Sequence, residues 1–251
     1  MSVLVPAAVR RQLARPPATA VFTEAELAGL PEVVCRHLQA TIAPDTPLAT
    51  SARLGMRGKL KLGRWLPFQA EQVLAPQVGF YWAARVAGVI SGFDRYLDGQ
   101  GELRWKLLGV VPVTQGEGPD VARSAIGRAA GEAMWLPTAL LPRFGIQWEA
   151  ADDRHVTARF GLNGVAVNLR YGLEEDGRIR SVVFDRWGDP DRSGSWGLYP
   201  FGGEVTGYRT FSGLTVPSAG RIGWFYGTDR WPEGEFFRFQ LTALEPTAPS
   251  G

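Results

Sequence analysis

The sequence predicts a mainly β protein of the α+β class: an antiparallel barrel or half-barrel of about ten strands with two main helices. Three observations predict this fold. Apolar and polar residues alternate with a period of two over much of the chain. Glycine-containing turn signals separate these segments at short intervals, and only two segments carry the apolar spacing of a helix. We expect a flexible arm over residues 1–20, a single domain over 21–246 and a tail over 247–251.

The first predicted helix covers residues 30–42, LPEVVCRHLQATI, whose apolar side chains recur at helical spacing. Pro31 fits the first helical position, and Pro44 and Pro47 end the helix. The second helix is predicted over residues 120–141. Pro119 and Asp120 mark its start, and Pro137 should break or kink it because proline lacks the amide N–H that a helix needs.

The clearest strand covers residues 51–62, where even positions are mostly apolar and odd positions mostly polar. This alternation is typical of an antiparallel strand with one buried face. Asp98-Gly99, Asn163-Gly164 and Asp176-Gly177 predict tight turns between neighbouring strands. Further strands are predicted around residues 80–89, 89–97, 103–107, 156–160, 165–171, 179–187, 204–211, 221–226 and 236–244.

Charge and composition exclude several functional classes. The chain has 27 basic and 25 acidic residues, a balance that argues against a nucleic-acid partner, since such binding depends on neutralising phosphates. Its single cysteine excludes an intrachain disulfide and a cysteine-based zinc site. We find neither a signal peptide nor an apolar run of transmembrane length, so we expect a cytoplasmic protein without an integral membrane segment.

The usual catalytic motifs are also missing from the sequence. A Ser-His-Asp or Cys-His arrangement needs a histidine, and the two histidines, His37 and His155, lie on a helix and on a polar strand face. The chain has no Walker A sequence, and its glycine pattern does not fit a Rossmann turn. We therefore expect neither a metal nor a cofactor.

Aromatic side chains are the more informative feature, because nine tryptophans are present and several fall on the apolar phase of strands. They either pack a core or line a cavity for an apolar, ring-bearing ligand, which a barrel of this size can hold. The tyrosines would add hydroxyl donors to such a cavity. The candidate ligand-binding residues are Trp82, Tyr96, Trp105, Trp135, Tyr208, Trp224 and Tyr226.

Three charged residues occupy positions that the pattern predicts to be buried. Asp94 shares a strand face with apolar residues, Arg186 does the same on a later strand, and Glu132 lies one helical turn after Arg128. Burying a charge is costly unless it is paired. The three residues therefore form either a structural ion-pair network or a polar cluster inside a cavity. In an enzyme, Asp94, Glu132 and Arg186 would be the catalytic set.

Several motifs together resemble an uncharacterised bacterial family, namely LPEVVCRHL, GRWLPFQAEQ, FYWAARV, FDRYLDGQGEL, RAAGEAMWLPTALL and VVFDRWG. The resemblance covers about residues 28–245 and brings no established activity. It implies a fold similar to the periplasmic lipoprotein carriers, a single-domain antiparallel half-barrel plugged by the two main helices. The matching positions are Arg36, Trp82, Asp94, Glu132, Trp135, Pro137, Asp185 and Arg186.

We expect this chain to bind an apolar, lipid-like or polyketide-like small molecule in an aromatic-lined cavity. The alternative is a cofactor-independent cyclase, isomerase or hydrolase that uses a buried carboxylate in the same cavity. A third hypothesis is a structural protein whose core is filled and holds no ligand.

Overall fold

The computed structural model describes residues 4–15 and 20–247 of the chain. Its helices are α1 (Ala7–Leu13), α2 (Glu32–Thr41), α3 (Pro119–Gly131) and the short α4 (Trp231–Gly234). Its strands are β1 (Ala52–Leu62), β2 (Arg64–Ala75), β3 (Gly79–Val86), β4 (Ile90–Leu97), β5 (Gln100–Leu107), β6 (Val111–Glu117), β7 (Gln147–Ala150), β8 (His155–Leu162), β9 (Val165–Leu173), β10 (Ile179–Gly188), β11 (Gly197–Phe211), β12 (Leu214–Trp224) and β13 (Glu235–Pro246).

All of these strands belong to one antiparallel sheet, in the order β6-β5-β4-β3-β2-β1-β13-β12-β11-β10-β9-β8-β7. The sheet is open, with β6 and β7 at its two edges. It consists of two meanders, β1 to β6 and β7 to β13, which meet where β13 pairs with β1. The predicted mainly β, antiparallel architecture is confirmed.

The sheet curls around α3. This helix contacts β5 and β10, which are eight positions apart in the sheet. Eight strand spacings would measure about 38 Å in a flat sheet, whereas a helix of 13 residues is only about 20 Å long. Both strands reach α3 because the sheet bends toward it, so the sheet has a concave inner face that α3 partly covers.

The inner and outer faces carry separate apolar clusters. Phe80 and Trp82 of β3 belong to the large inner cluster, whereas Tyr81 and Ala83 belong to a smaller outer cluster. β3 is therefore buried on both faces, which explains why residues 80–84, FYWAA, are continuously apolar rather than alternating.

Helix α1 covers the outer cluster. Leu13 of this helix and the neighbouring Val5 are both buried against β2 and β3. This differs from the flexible arm expected over residues 1–20, because Val5 and Leu13 pack on the second apolar face of β3. Residues 1–3 and 16–19, and the tail from 248 onward, lie outside the described residues.

The strand count is higher than predicted, thirteen rather than about ten in the described residues. β2 carries Pro67 and becomes continuously buried toward its end, so it shows no alternation. β6 is an edge strand that is exposed on both faces, and β7 has only four residues. None of the three shows a period of two, which is why the pattern missed them.

The second predicted helix is shorter than expected. α3 begins at Pro119, as predicted, but ends at Gly131, and 3-10 turns follow over Glu132–Trp135 and Pro137–Leu140. A Cβ at position 131 would lie 2.6 Å from a ring carbon of Phe184, so only glycine permits this approach of the helix to β10. The α-helix ends at this close contact, six residues before Pro137, where the break was predicted.

The predicted Asn163-Gly164 hairpin is confirmed. Asn163 and Gly164 both have positive φ, 47° and 78°, and Leu162 pairs directly with Val165 across the turn. Two consecutive residues of positive φ are typical of the type I′ turn, whose twist matches that of the strands it joins.

Helix α2 is anchored through His37, which is buried. Its Nδ1 donates a hydrogen bond of 2.8 Å to the carbonyl oxygen of Gly177, in the turn between β9 and β10. Burial lowers the pKa of His37 to about 4, and the hydrogen bond to Gly177 offsets this only in part. The imidazole is therefore neutral at pH 7.

This neutral histidine predicts a pH dependence of stability. Between about pH 6.5 and 4 the unfolded chain binds a proton at His37 that the folded chain does not. Unfolding should therefore become easier as the pH falls through this range, by about 3 kcal/mol in total. Urea unfolding of the His37→Gln variant at several pH values should show a shallower dependence. The exposed His155 is the control, and an equal effect of His155→Gln would contradict the assignment.

Candidate functional site

A cavity of about 590 Å³ lies on the inner face of the sheet, between α3 with its following 3-10 turn and strands from both meanders. It is open to solvent on one side. Aromatic rings form much of its wall: Trp82, Trp105, Trp135, Phe184, Phe201, Trp224, Phe236 and Phe237. The described residues therefore surround a space of ligand size that is lined by aromatic rings.

A charged network lies at the floor of this cavity. Arg128 Nη1 is 2.6 Å from Asp94 Oδ2, and Arg128 Nε is 2.8 Å from Glu132 Oε1. Trp105 Nε1 donates a 2.8 Å hydrogen bond to Asp94 Oδ1, and the amide of Gln72 donates to Glu132 Oε2. All four carboxylate oxygens thus accept hydrogen bonds from protein donors.

Strand register and helical spacing bring these residues together. Gln72, Trp82 and Asp94 are direct cross-strand neighbours on β2, β3 and β4, so their side chains share the inner face. Arg128 and Glu132 are four residues apart at the end of α3 and so point in the same direction. The helix is thereby tied to the sheet through Arg128.

The environment holds Arg128 in its charged form. Burial disfavours the charge, but the carboxylates of Glu132 and Asp94 outweigh this effect and raise the pKa of Arg128. The guanidinium carbon also lies 4.6 Å from the ring centre of Phe80 and 5.0 Å from that of Trp82. This packing stabilises the cation further.

Arg186 has a different environment. Its Nε donates a 3.1 Å hydrogen bond to the carbonyl oxygen of Ser124 in α3. Its guanidinium carbon lies 4.5 Å from the ring centre of Phe201 and 5.1 Å from that of Trp224. Among the residues that the structure describes, its terminal Nη atoms have no hydrogen-bond acceptor, and no carboxylate lies within ion-pair distance.

Burial and, to a smaller extent, the charge of Arg128 lower the pKa of Arg186 to about 9, although Glu132 and Asp94 act against this from a distance. The guanidinium therefore remains protonated at neutral pH. Three cations of the cavity wall, Lys61, Arg186 and Arg192, have no ion-pair partner within residues 4–15 and 20–247. Of these, Arg186 is the one that lies against the rings of Phe201 and Trp224.

Seven of the ten residues predicted for the site line this cavity: Trp82, Asp94, Trp105, Glu132, Trp135, Arg186 and Trp224. The three tyrosines do not. Tyr96 is buried, and its hydroxyl oxygen accepts a hydrogen bond from Asn163. Tyr208 packs under Arg178, and Tyr226 packs against Trp231. Sequence phase places a side chain on a face of the sheet but does not say how far along the strand the cavity extends.

Three matching positions of the family resemblance also lie elsewhere. Pro137 is buried in the 3-10 turn Pro137–Leu140 and does not line the cavity. Arg36 donates to the carbonyl oxygen of Asp153, and Asp185 is an exposed residue 3.6 Å from Arg170. Sequence reasoning did not select Phe184, Phe201 or Phe237 for the cavity wall. The phase of Phe184 with Arg186 was available as a signal, whereas nothing in the sequence indicates that β13 lies beside β1.

A second, larger groove of about 910 Å³ lies on the outer face of the sheet. It is more open than the inner cavity, and its charged wall is basic, with Arg57, Lys59, Arg85, Arg221 and Arg238. Its geometry lacks the surrounding rings that would bury an apolar ligand. The inner cavity is therefore the candidate site.

The sequence profile of DUF6544, a family of unknown function, matches residues 20–236. The chain belongs to this family. The match confirms the resemblance to an uncharacterised family. A search of curated proteins finds no match.

Among solved structures, this member of the family is similar to a LolA superfamily protein of Nitrosomonas europaea. The identity is 10%, the TM-score is 0.43, and the match covers 87% of this chain and 93% of that chain. It is also similar to an outer-membrane lipoprotein-sorting protein domain of Vibrio parahaemolyticus, with 9% identity, a TM-score of 0.40 and coverage of 88% and 93%. No helix in the described part of the chain has the length and hydropathy to cross a membrane.

Proposed function

We propose that the inner cavity binds an amphipathic small molecule with a lipid-like or polyketide-like apolar body and an acidic head group. The observation that carries this proposal is the guanidinium of Arg186, which faces an aromatic-walled cavity and lacks a carboxylate partner among the described residues. Arg186 is partly buried, and a cation that is partly removed from water is costly unless an anion compensates it. A carboxylate or phosphate on the ligand would be that anion.

The rings of the wall supply the apolar part of the binding. Burying apolar surface is worth roughly 25 cal/mol per Å² before the costs of association are subtracted. A volume of about 590 Å³ lies within the range of roughly 300–1,000 Å³ that small-molecule sites occupy. Size and lining therefore both fit a ligand of this class.

The catalytic alternative has less support from the geometry. A general acid or base needs an oxygen that can reach the substrate, whereas Asp94 and Glu132 already accept hydrogen bonds at all four oxygens. We therefore assign these two carboxylates to holding Arg128, and we assign the head group to Arg186. A cyclase, isomerase or hydrolase activity stays a prediction, as does the cytoplasmic location.

Mass spectrometry of the protein purified from its own host tests the proposal. Under native conditions we expect a species heavier than the bare chain, and denaturation should release a stoichiometric acidic amphiphile. Release of a neutral molecule would show that Arg186 does not bind an acidic head group. A bare chain that also fails to take up added long-chain fatty acids would contradict the proposal as a whole.

Removing an aromatic wall residue should weaken uptake. We expect Trp224→Ala to lower the affinity for a long-chain fatty acid about tenfold, because a large contact area beside Phe201 is lost. Titration calorimetry measures this change. The control is Trp65→Ala, since Trp65 packs under Arg238 and does not line the cavity. Equal affinities of the two variants would show that the ligand does not lie against Trp224.

A further inference from the structure

Exposed apolar side chains concentrate at one end of the first meander, where turns join β1 to β2, β3 to β4 and β5 to β6. Leu108 and Val110 form the tip of the β5–β6 hairpin and are 70% and 71% exposed. Leu108 N donates a 2.8 Å hydrogen bond to the carbonyl oxygen of Val89, so two of the turns touch. The exposed apolar residues at this end of the meander, here called the apolar rim, are Leu62, Val89, Leu107, Leu108, Val110, Val111 and Val113.

The backbone conformation at the tip of the β5–β6 hairpin does not favour the leucine that stands there. Leu108 has a φ of 51° and is followed by Gly109 at 78°. The same pair of positive φ values occurs at Ala87-Gly88, Asp98-Gly99, Asn163-Gly164 and Ser212-Gly213. All four of these turns carry a small or polar residue before the glycine. Asparagine, aspartate and glycine tolerate this conformation, whereas a leucine there is strained. Folding alone does not account for a strained leucine in solvent at the tip of a hairpin.

The charged residues at the same end of the meander are all basic. Residues 57–66, 85–92 and 104–114 contain seven basic residues and no acidic one: Arg57, Lys59, Lys61, Arg64, Arg85, Arg104 and Lys106. All three lysines of the chain are among them. Arg104 is paired with Glu102, and in the described residues the other six have no carboxylate within ion-pair distance. The apolar rim thus lies in a positive field, although the net charge of the chain is only +2.

The apolar rim also forms part of the cavity mouth. Leu62 and Val113 belong both to the rim and to the cavity wall, and Lys61 and Gly63 line the cavity beside them. A surface that covered the rim would therefore lie against the opening of the cavity.

We propose that the apolar rim docks onto an anionic lipid bilayer, with Leu108 and Val110 in the interfacial region and the surrounding basic residues on the lipid headgroups. Apolar side chains flanked by unpaired cations match the two components of such a surface, acyl chains and negative charge. A second copy of this chain would bring a like-charged rim against this one, which disfavours it as the occupant. Docking goes beyond the proposed ligand binding and does not depend on it.

Sedimentation with lipid vesicles tests docking. We expect binding to vesicles of phosphatidylcholine mixed with phosphatidylglycerol, much weaker binding to phosphatidylcholine alone, and a decrease with added salt. The double variant Leu108→Asn, Val110→Ser should bind at least about tenfold more weakly. Asparagine suits the conformation at position 108, so thermal unfolding of this variant should be unchanged or shifted upward.

The basic residues are tested separately. Lys59→Gln with Lys106→Gln should weaken binding to the anionic vesicles about 25-fold, since each cation near such a surface is worth about fivefold. The matched control is Arg154→Gln with Arg159→Gln, at distant exposed sites.

Equal binding to both lipid compositions, or wild-type binding by the tip variant, would overturn the proposal. So would a concentration-dependent dimer that the tip variant abolishes. Fatty-acid uptake by the tip variant reports on the cavity alone, because neither tip residue lines it.

Discussion

Replacing Arg128 by leucine is expected to lower the free energy of unfolding by about 3–5 kcal/mol. The variant leaves Asp94 and Glu132 at the cavity floor without the cation that both of them contact. An uncompensated pair of carboxylates in a partly buried site is costly, and the tie between α3 and the sheet is lost as well. Because a domain is stable by only about 5–15 kcal/mol in total, urea unfolding should show a large shift of the midpoint.

The control for this effect is an exposed ion pair. Arg154 lies 2.7 Å from Glu175, and both side chains are more than half exposed, so Arg154→Leu should cost less than about 1 kcal/mol. Adding Asp94→Asn and Glu132→Gln to Arg128→Leu should recover part of the loss, because the carboxylate charges are removed too. Similar costs for Arg128→Leu and Arg154→Leu would show that the network contributes little to holding the helix on the sheet.

Replacing Arg186 by glutamine is expected to discriminate between two probes of nearly the same shape. Anilinonaphthalene sulfonate carries a negative charge, whereas N-phenylnaphthylamine is a neutral molecule with the same rings. Hydrogen bonds to a charged group are worth about 1.5–3 kcal/mol, so the variant should bind the sulfonate about 10- to 100-fold more weakly. Binding of the neutral probe should change much less. Fluorescence titration measures both affinities.

Arg230 provides the matched control for Arg186. It also lines the cavity, but Asp191 and Glu233 already pair with it, so Arg230→Gln should affect the two probes about equally and weakly. Arg186→Gln should change thermal unfolding only slightly, because it loses one hydrogen bond to Ser124 but also removes a partly buried cation without an ion-pair partner in the described residues. An equal loss of both probes in Arg186→Gln would show that Arg186 shapes the wall rather than holding an acidic group.

Local patterns predict the parts of this fold that have one buried face. β1 alternates as a half-buried strand should, and the Asn163-Gly164 turn lies where the sequence indicates it. Three strands were missed because they do not alternate. The end of β2 is buried on both faces, β6 is exposed on both faces, and β7 has only four residues. The packed α1 was missed because β3 has a second apolar face, which a one-dimensional pattern does not assign to a partner.

The candidate site was partly predictable for a related reason. Asp94 and Arg186 stood out because a charge in an apolar phase needs a compensating partner, and both line the cavity. Their different environments depend on sheet register: Asp94 lies next to Trp82 across β3 and β4, and that places it within reach of Arg128. Tyr208 and Tyr226 had suitable chemistry but lie elsewhere, because the sequence does not show where the cavity ends.

The position of β13 has a consequence for how the molecule assembles. This last strand of the sequence lies between β1 and β12, near the middle of the sheet. During synthesis, β1 and β12 would each expose an unpaired edge until residues 235–246 leave the ribosome. Contacts of such large sequence separation form slowly, and open edges promote association between chains. We therefore expect refolding to be slow, and aggregation during translation to be most sensitive to substitutions that delay the pairing of β13.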